Sequence, residues 1–430
     1  MLRKAKAMAV AAVMAAGTGG ALTALTVQAA QAQPTVAVPC STSALASAVT
    51  SANVSGATLS LAAGCVYNLT AALPQVNQEF NINGNGATLQ RSYAAGTAAF
   101  TILTVTGSGI LTVNDLNFRH GAGAIAVIDE GQLTVNGGTF TANTAANGGA
   151  IYSNTELYAP QINNATFVRN TAAECGGAIY SSSFNDSVYV SGSVFIGNKA
   201  ADGGGIWEYG FGGGISSSTF QGNAAGTGGA LWLNEGYGEG LDGLTVRYNS
   251  ALGDGGGIYA ADNGEGMYIE GSTISGNHAG GQGGGFYDGI FNPTQVISSD
   301  IEGNSAADGA GIYNDLYTIF QLTGSTVSGN HASEDGGGIY NAADDPAPDS
   351  LTGSTLSGNY AGGHGGGIYN QDGTDLTVAS TSINDNRAHG GGGGIFDDGP
   401  DGSTTLTGSP VTGNKPDNCE PPGSITGCKG

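Results

Sequence analysis

From Phe80 onward the chain runs in short alternations of apolar and polar residues, broken by Asn and Gly pairs. Such period-two runs bounded by turn residues predict strands, not helices. Phe80-Asn81-Ile82-Asn83-Gly84-Asn85-Gly86-Ala87-Thr88-Leu89 reads as strand, turn, strand. Phe100 to Val105 and Ile110 to Phe118 continue the pattern, with Leu111, Val113, Leu116 and Phe118 as the inward set. One helix is expected, near the start. Ser41-Thr42-Ser43 opens it, and Ala44, Leu45, Ala48 and Val49 share a face. Thr58-Leu59-Ser60-Leu61 then alternates as a strand.

The alternation is itself periodic. A Gly-Gly-x-aliphatic-aromatic box recurs ten times, its aliphatic slot filled by Ile151, Ile179, Ile206, Leu231, Ile258, Phe286, Ile312, Ile339, Ile368 and Ile395. The gaps run from 25 to 29 residues. A second box places Asn at 143, 170, 198, 223, 249, 277, 304, 330, 359, 386 and 414, and Ala two positions later in the first ten; Pro416 replaces it in the eleventh. Fixed-period repeats indicate a stacked architecture. About 27 residues hold three short strands and their corners at ~3.3 Å per residue, one turn of a parallel β-helix. The fold class expected is therefore all-β, a parallel β-helix solenoid of about 12–13 coils with an N-terminal cap. A four-stranded propeller blade needs ~40 residues, leucine-rich spacing is absent, and Gly367 stands where a calcium-binding nonapeptide would need Asp.

Each box residue then has a mechanical role. Ile339 and Val327 point inward. Asn330 sits at a corner where its amide bonds the same amide one coil on. Ala332 fills the space beside it. Gly336 and Gly337 permit positive φ and close backbone approach. Ser325 has counterparts at 193, 218, 272, 299, 354 and 409, suiting a hydroxyl stack.

Gly-Gly-Ala-Ile at 148–151 and 176–179, with Phe-x-x-Asn at 140–143, 167–170, 195–198 and 220–223, resembles the chlamydial-type polymorphic outer membrane protein repeat. The chain as a whole is similar to secreted bacterial right-handed β-helix proteins carrying that repeat. The resemblance implies a right-handed coil and, from the outer-membrane members, an adhesin passenger. Gly430 follows the last box by 16 residues, so a translocator barrel is not expected within this chain.

Composition adds a compartment. Arg3, Lys4 and Lys6 precede an Ala/Val/Leu/Gly run from Ala7 to Val27, and Ala30-Gln31-Ala32 supplies a small-x-small cleavage pattern. Residues 1–32 are thus expected to be a signal peptide. The remaining domains expected are a cap over 33–75, the β-helix over 76–416 and a tail over 417–430. The mature chain would carry eight basic and 34 acidic residues, a net charge of −26, and no apolar run approaching the ~20 residues of a membrane span. Nucleic acid is excluded as a partner by that charge. Of five cysteines, Cys40 and Cys65 precede the repeats and Cys419 and Cys428 follow them, which predicts two end-capping disulfides and an odd, buried thiol at Cys175.

Candidate chemistry is sparse. The slot after the aliphatic residue holds Tyr152, Tyr180, Trp207, Trp232, Tyr259, Tyr287, Tyr313, Tyr340, Tyr369 and Phe396. Neighbours along a strand face opposite sides, so these ten would form an outward strip about 45 Å long, able to stack on sugar rings. In the slot before Gly-Gly, Asp308 and Asp335 would lie on adjacent coils, close enough to share a cation or a proton. Asp344, Asp345 and Asp349 would sit on a protruding loop. Asp397-Asp398 and Asp344-Asp345 should diverge rather than converge for hydrolysis. Arg169, Arg247 and Arg387 fall at different slots, and His278 and His331 lie two coils apart. No catalytic residue, metal ligand or cofactor is assigned. The expected function is a secreted, non-catalytic protein binding a polysaccharide or cell surface, of adhesin or matrix type. The alternative is a polysaccharide lyase or glycoside hydrolase of the pectate-lyase-like β-helix type, which rests on fold analogy.

Overall fold

The computed structural model describes residues 33–183, 188–210, 212–234, 239–261, 266–290, 293–342, 348–399 and 403–428. The expected signal peptide over 1–32, and Asp344 and Asp345, lie outside them. Pro34–Gly430 is one compact unit.

Each coil repeats one path. In a representative coil Ile319–Thr323 contributes to a first sheet, Thr326–Ser328 to a second, and Ile339–Asn341 to a third. Among the described residues the three sheets hold 15, 14 and 13 strands, every neighbour pair parallel and one coil apart. The chain is thus a parallel β-helix of about 13 turns. Three strands per coil were expected, and seven successive coils have a fourth: the two residues after the box Asn, from Ala224–Ala225 through His331–Ala332 to Arg387–Ala388, pair with their equivalents to make a narrow seven-stranded ribbon. It forms because the small Ala in that slot, as at Ala279, Ala306 and Ala332, packs inward beside the corner.

The core is files of like residues. Phe118, Phe140, Phe167, Phe195 and Phe220 stack with ring centroids 4.5–4.9 Å apart inside the second sheet. The aliphatic slot of the third sheet is buried from Ile125 to Ile395, and Cys419 pairs with Ile395 at its end. The box asparagines form a buried ladder. Asn277 Nδ2 donates to Asn304 Oδ1 at 3.0 Å and to the Val246 carbonyl at 3.0 Å, while its Oδ1 accepts the backbone N–H and the amide of Asn249. Each interior amide is thereby fully hydrogen-bonded, as burial of a primary amide requires. Gly121 N–H meets the first amide and Asn418 Oδ1 receives the last. A parallel hydroxyl file links Ser272, Ser299, Ser325 and Ser354 through backbone N–H to Oγ bonds of 3.1 Å.

Gly336 and Gly337 do separate jobs. Gly336 has φ +65°, and a Cβ on Gly337 would strike the Tyr360 and Gly366 carbonyl oxygens of the next coil.

The helix runs over Thr42–Ser55, longer than Val49 suggested. Ser41 Oγ accepts the Ala44 N–H, and Gly56, left-handed at φ 65°, returns its N–H to the Ala52 carbonyl. With Leu45, Val49 and Ala52 buried, it packs on the first strands of the solenoid. Disulfides join Cys40 to Cys65 and Cys419 to Cys428. No helix among the described residues is long and apolar enough to cross a membrane.

Candidate binding face

Parallel pairing in register dictates the geometry of the aromatic strip. Tyr152 pairs with Tyr180, Tyr180 with Trp207, and so on through Phe396, one ring per coil on the outer side of the third sheet. Coil spacing of ~4.8 Å is close to aromatic stacking distance. The rings accordingly stack, with centroids 4.6–6.1 Å apart and interplanar angles of 16° or less. This changes what the strip can offer. A ring with neighbours on both sides presents its edge to solvent, so sugar stacking along the whole strip is not available. Tyr287, Tyr313 and Tyr369 are only 7–8% exposed, and the other seven are half-buried.

The hydroxyl ends are tied down from the next coil. Tyr287 donates to Asp315 Oδ2 at 2.5 Å, Tyr369 to Asp398 Oδ2 at 2.5 Å, and Tyr340 to Gln371 Oε1 at 3.3 Å. Sequence reading missed these acceptors. The signal was present: each lies three positions after its aliphatic slot residue, on the same outward parity as the aromatic. Burial, reinforced by the nearby carboxylates, raises the phenol pKa of Tyr259, Tyr313 and Tyr340, the last to about 12. Burial also raises Tyr287 and Tyr369, with their bonds to Asp315 and Asp398 next. These phenols therefore stay neutral at physiological pH.

The slot before Gly-Gly forms the opposite flank. Asp308 Oδ1 accepts the Asp335 N–H at 2.9 Å and Asp335 Oδ1 accepts the His364 N–H at 2.6 Å; Asp254 does the same for Gln282 at 2.7 Å. Asp308 and Asp335 thus lie on adjacent coils, as expected, and their carboxylates make backbone bonds that fix each turn to the next. Asp308 has a raised pKa, chiefly through burial. His364 lies 3.4 Å from Asp335 and tilts against Phe396.

Other candidates separate. Asp397 is buried inside the coil and Asp398 faces out, so that pair diverges as expected. Asp349 is a buried strand residue, not a loop residue; it accepts the Phe320 N–H at 2.6 Å and an Asn314 amide hydrogen at 3.2 Å. Cys175 is half-exposed rather than buried. Desolvation and the charges of Asp202 and Glu174 push its thiol up to about 11, which keeps it from the reactive thiolate form. Arg247 is held by Gln221, His278 by Ser305, and His331 stacks on Tyr360. Among the described residues no three His, Cys, Asp or Glu side chains gather to hold a metal.

A second feature escaped the sequence reading. Two positions after the aliphatic slot, on the inward parity, Asp288, Asn314, Asn341, Asn370 and Asp397 are buried. Asn314 donates to Asn341 Oδ1 at 2.6 Å, Asn341 to Asn370 Oδ1 at 2.9 Å, and Asn370 to Thr404 Oγ1 at 3.3 Å.

Comparison with known proteins agrees with this architecture. Residues 164–182 and 324–342 match the Chlamydia polymorphic membrane protein (Chlamydia_PMP) repeat model. No curated protein and no solved structure matches the chain. Each matched stretch begins just before a second-sheet strand, takes in the box Asn (Asn170, Asn330) and the Gly-Gly box and ends in the third sheet, and the same boxes recur in phase in the coils between. The chain is a parallel β-helix protein of the polymorphic membrane protein repeat type.

Proposed function

We propose that the protein is exported and displayed outside the cell, where the third-sheet face of the solenoid binds a polysaccharide or other cell-surface polymer without cleaving it. The observation that carries this reading is the file of ten in-register aromatic residues on one outer face. It is flanked by fixed carboxylates and amides: Asp254, Asp308 and Asp335 on one side, Asp315, Gln371 and Asp398 on the other. Ring edges and hydrogen-bonding groups repeated once per coil suit a long ligand that is itself repetitive and rich in hydroxyls. The repeat family and the two disulfides suit a surface protein. The flanking acids are occupied in holding turns and phenols, which favours binding over acid–base chemistry.

The test is retention on insoluble plant and microbial polysaccharides and on whole cells, with chromatography of the supernatant for shortened chains. Retention without release of fragments is expected. Released oligosaccharides would replace this reading with the lyase or hydrolase one, and absence of retention on every surface would remove it.

A further inference from the structure

The two ends of the aromatic file differ. At one end Phe396 pairs with Glu420 and is covered by His364. At the other, Tyr152 carries Tyr180 on one face, at 5.1 Å and 8°, and is in register on its other side with Ala126, which in turn pairs with Thr104. Where ten successive coils place a ring, this coil places a methyl group. The space left is a surface concavity of about 450 Å³ whose lining includes Thr101, Ala122, Gly123, Ala126, Asn147 and Tyr152. One coil spacing of ~4.8 Å makes the gap over Ala126 one ring thick.

We propose that this gap binds a single neutral pyranose ring of a polysaccharide, with its apolar C–H face on Tyr152. Tyr152 is the member of the file whose second face no neighbouring aromatic ring covers among the described residues. Two lining groups retain hydrogen-bonding capacity. The Thr101 hydroxyl donates to the Ala122 carbonyl at 2.9 Å and keeps lone pairs to accept. Asn147 gives one amide hydrogen to Glu174 at 2.8 Å and keeps the other. A donor and an acceptor beside an aromatic face match a sugar ring; a purely apolar side chain would leave both unpaired. The formal net charge of −23 and the adjacent Glu174 exclude uronic acids and phosphates in favour of a neutral ring. The proposal rests on the polymer-binding reading above and names a specific site for it.

The test is calorimetric titration of the full chain with neutral oligosaccharides of glucose, xylose and N-acetylglucosamine, with an oligogalacturonide as the acidic control. Ala126→Tyr adds an eleventh ring to the file and fills the gap, so the fold and melting temperature should be kept. It is expected to weaken binding of the neutral sugar by about tenfold or more. Thr101→Val should weaken it severalfold. Equal binding by wild type and Ala126→Tyr would overturn the site while leaving polymer binding intact. So would retention on insoluble polymer with no binding of any neutral oligosaccharide. Preference for the acidic control would overturn the choice of a neutral ring. Loss of both polymer and oligosaccharide binding in the wild type would overturn the parent reading as well.

Discussion

Two stacks of buried polar side chains run along the same solenoid, and they are built differently. At the corner after the second sheet every coil from Asn143 to Asn414 supplies asparagine, and each interior amide is satisfied by its neighbours above and below. Inside the third sheet the equivalent positions vary: Ser153, Ser181 and Glu208, then Leu233 and Ala260, then Asp288, Asn314, Asn341, Asn370 and Asp397. The mixed file closes only in part: the run Asn314, Asn341 and Asn370 is bonded in series, while other buried polar atoms of the file are left over. Ser153 Oγ and Asp397 Oδ1 are buried with no hydrogen-bond partner among the described residues. An amide is self-complementary at one coil spacing because it carries donors and an acceptor that reach both the coil before and the coil after; an ionised carboxylate only accepts, and a hydroxyl has a single hydrogen on a short side chain. Identical residues in register therefore make a stabilising ladder, while the mixed file trades stability for variation at each step.

The sharpest way to break this comparison is Asn277→Leu. It takes the partner from the Asn249 N–H, from one Asn249 amide hydrogen and from the Val246 carbonyl, at about 1–3 kcal/mol for each group left unsatisfied, while Asn304 Oδ1 keeps the Asn277 N–H. A loss on the order of 4 kcal/mol is expected in urea unfolding. A loss below about 1 kcal/mol would mean that the ladder is not a main support. Asn341→Leu should lose less, roughly 2 kcal/mol, since it removes side-chain bonds to Asn314 and Asn370 alone. Equal losses for the two variants would erase the distinction between the stacks.

Asp397→Asn should have the smallest effect, and its size depends on pH. Burial is the main cause raising the Asp397 pKa, against hydrogen bonds from Thr404 and Asn370 that lower it. The folded state thus binds this proton more tightly than the unfolded chain does. Its contribution is complete below the ordinary carboxylate range and is lost as pH rises through that range to the raised value. The variant should match the wild type near pH 4 and exceed it near pH 8, by less than about 1 kcal/mol. Melting curves at both pH values decide it, and a variant less stable at the higher pH would contradict the assignment.

Legibility followed repetition. The Asn, Gly and aliphatic slots could be read because each position keeps one chemical type through ten coils, and the Ser slot because it does so in seven, so that parity and period fixed both face and partner. The mixed inner file could not be read that way. Asn341 and Asp397 look like turn polar residues until the strand is seen to extend past Tyr340 and Phe396. The aromatic slot was placed on the correct face, but alternation gives direction, not environment. That Tyr287 and Tyr313 would be buried follows from ring-on-ring stacking and from Asp315 reaching back one coil, neither of which appears in a single repeat. The open end at Ala126 was visible as the coil lacking an aromatic and drew no notice, because a missing repeat residue reads as irregularity.

The central functional claim is that ligand contacts the third-sheet face, and the chain carries its own reporter there. Its two tryptophans, Trp207 and Trp232, are adjacent members of the ring file with centroids 4.9 Å apart. Tryptophan emission recorded while titrating a retained polysaccharide in soluble form tests the claim directly. A saturable change in intensity or wavelength, at the same concentration range as retention, is the result expected. Retention with unaltered emission would place the ligand on another face and contradict the account.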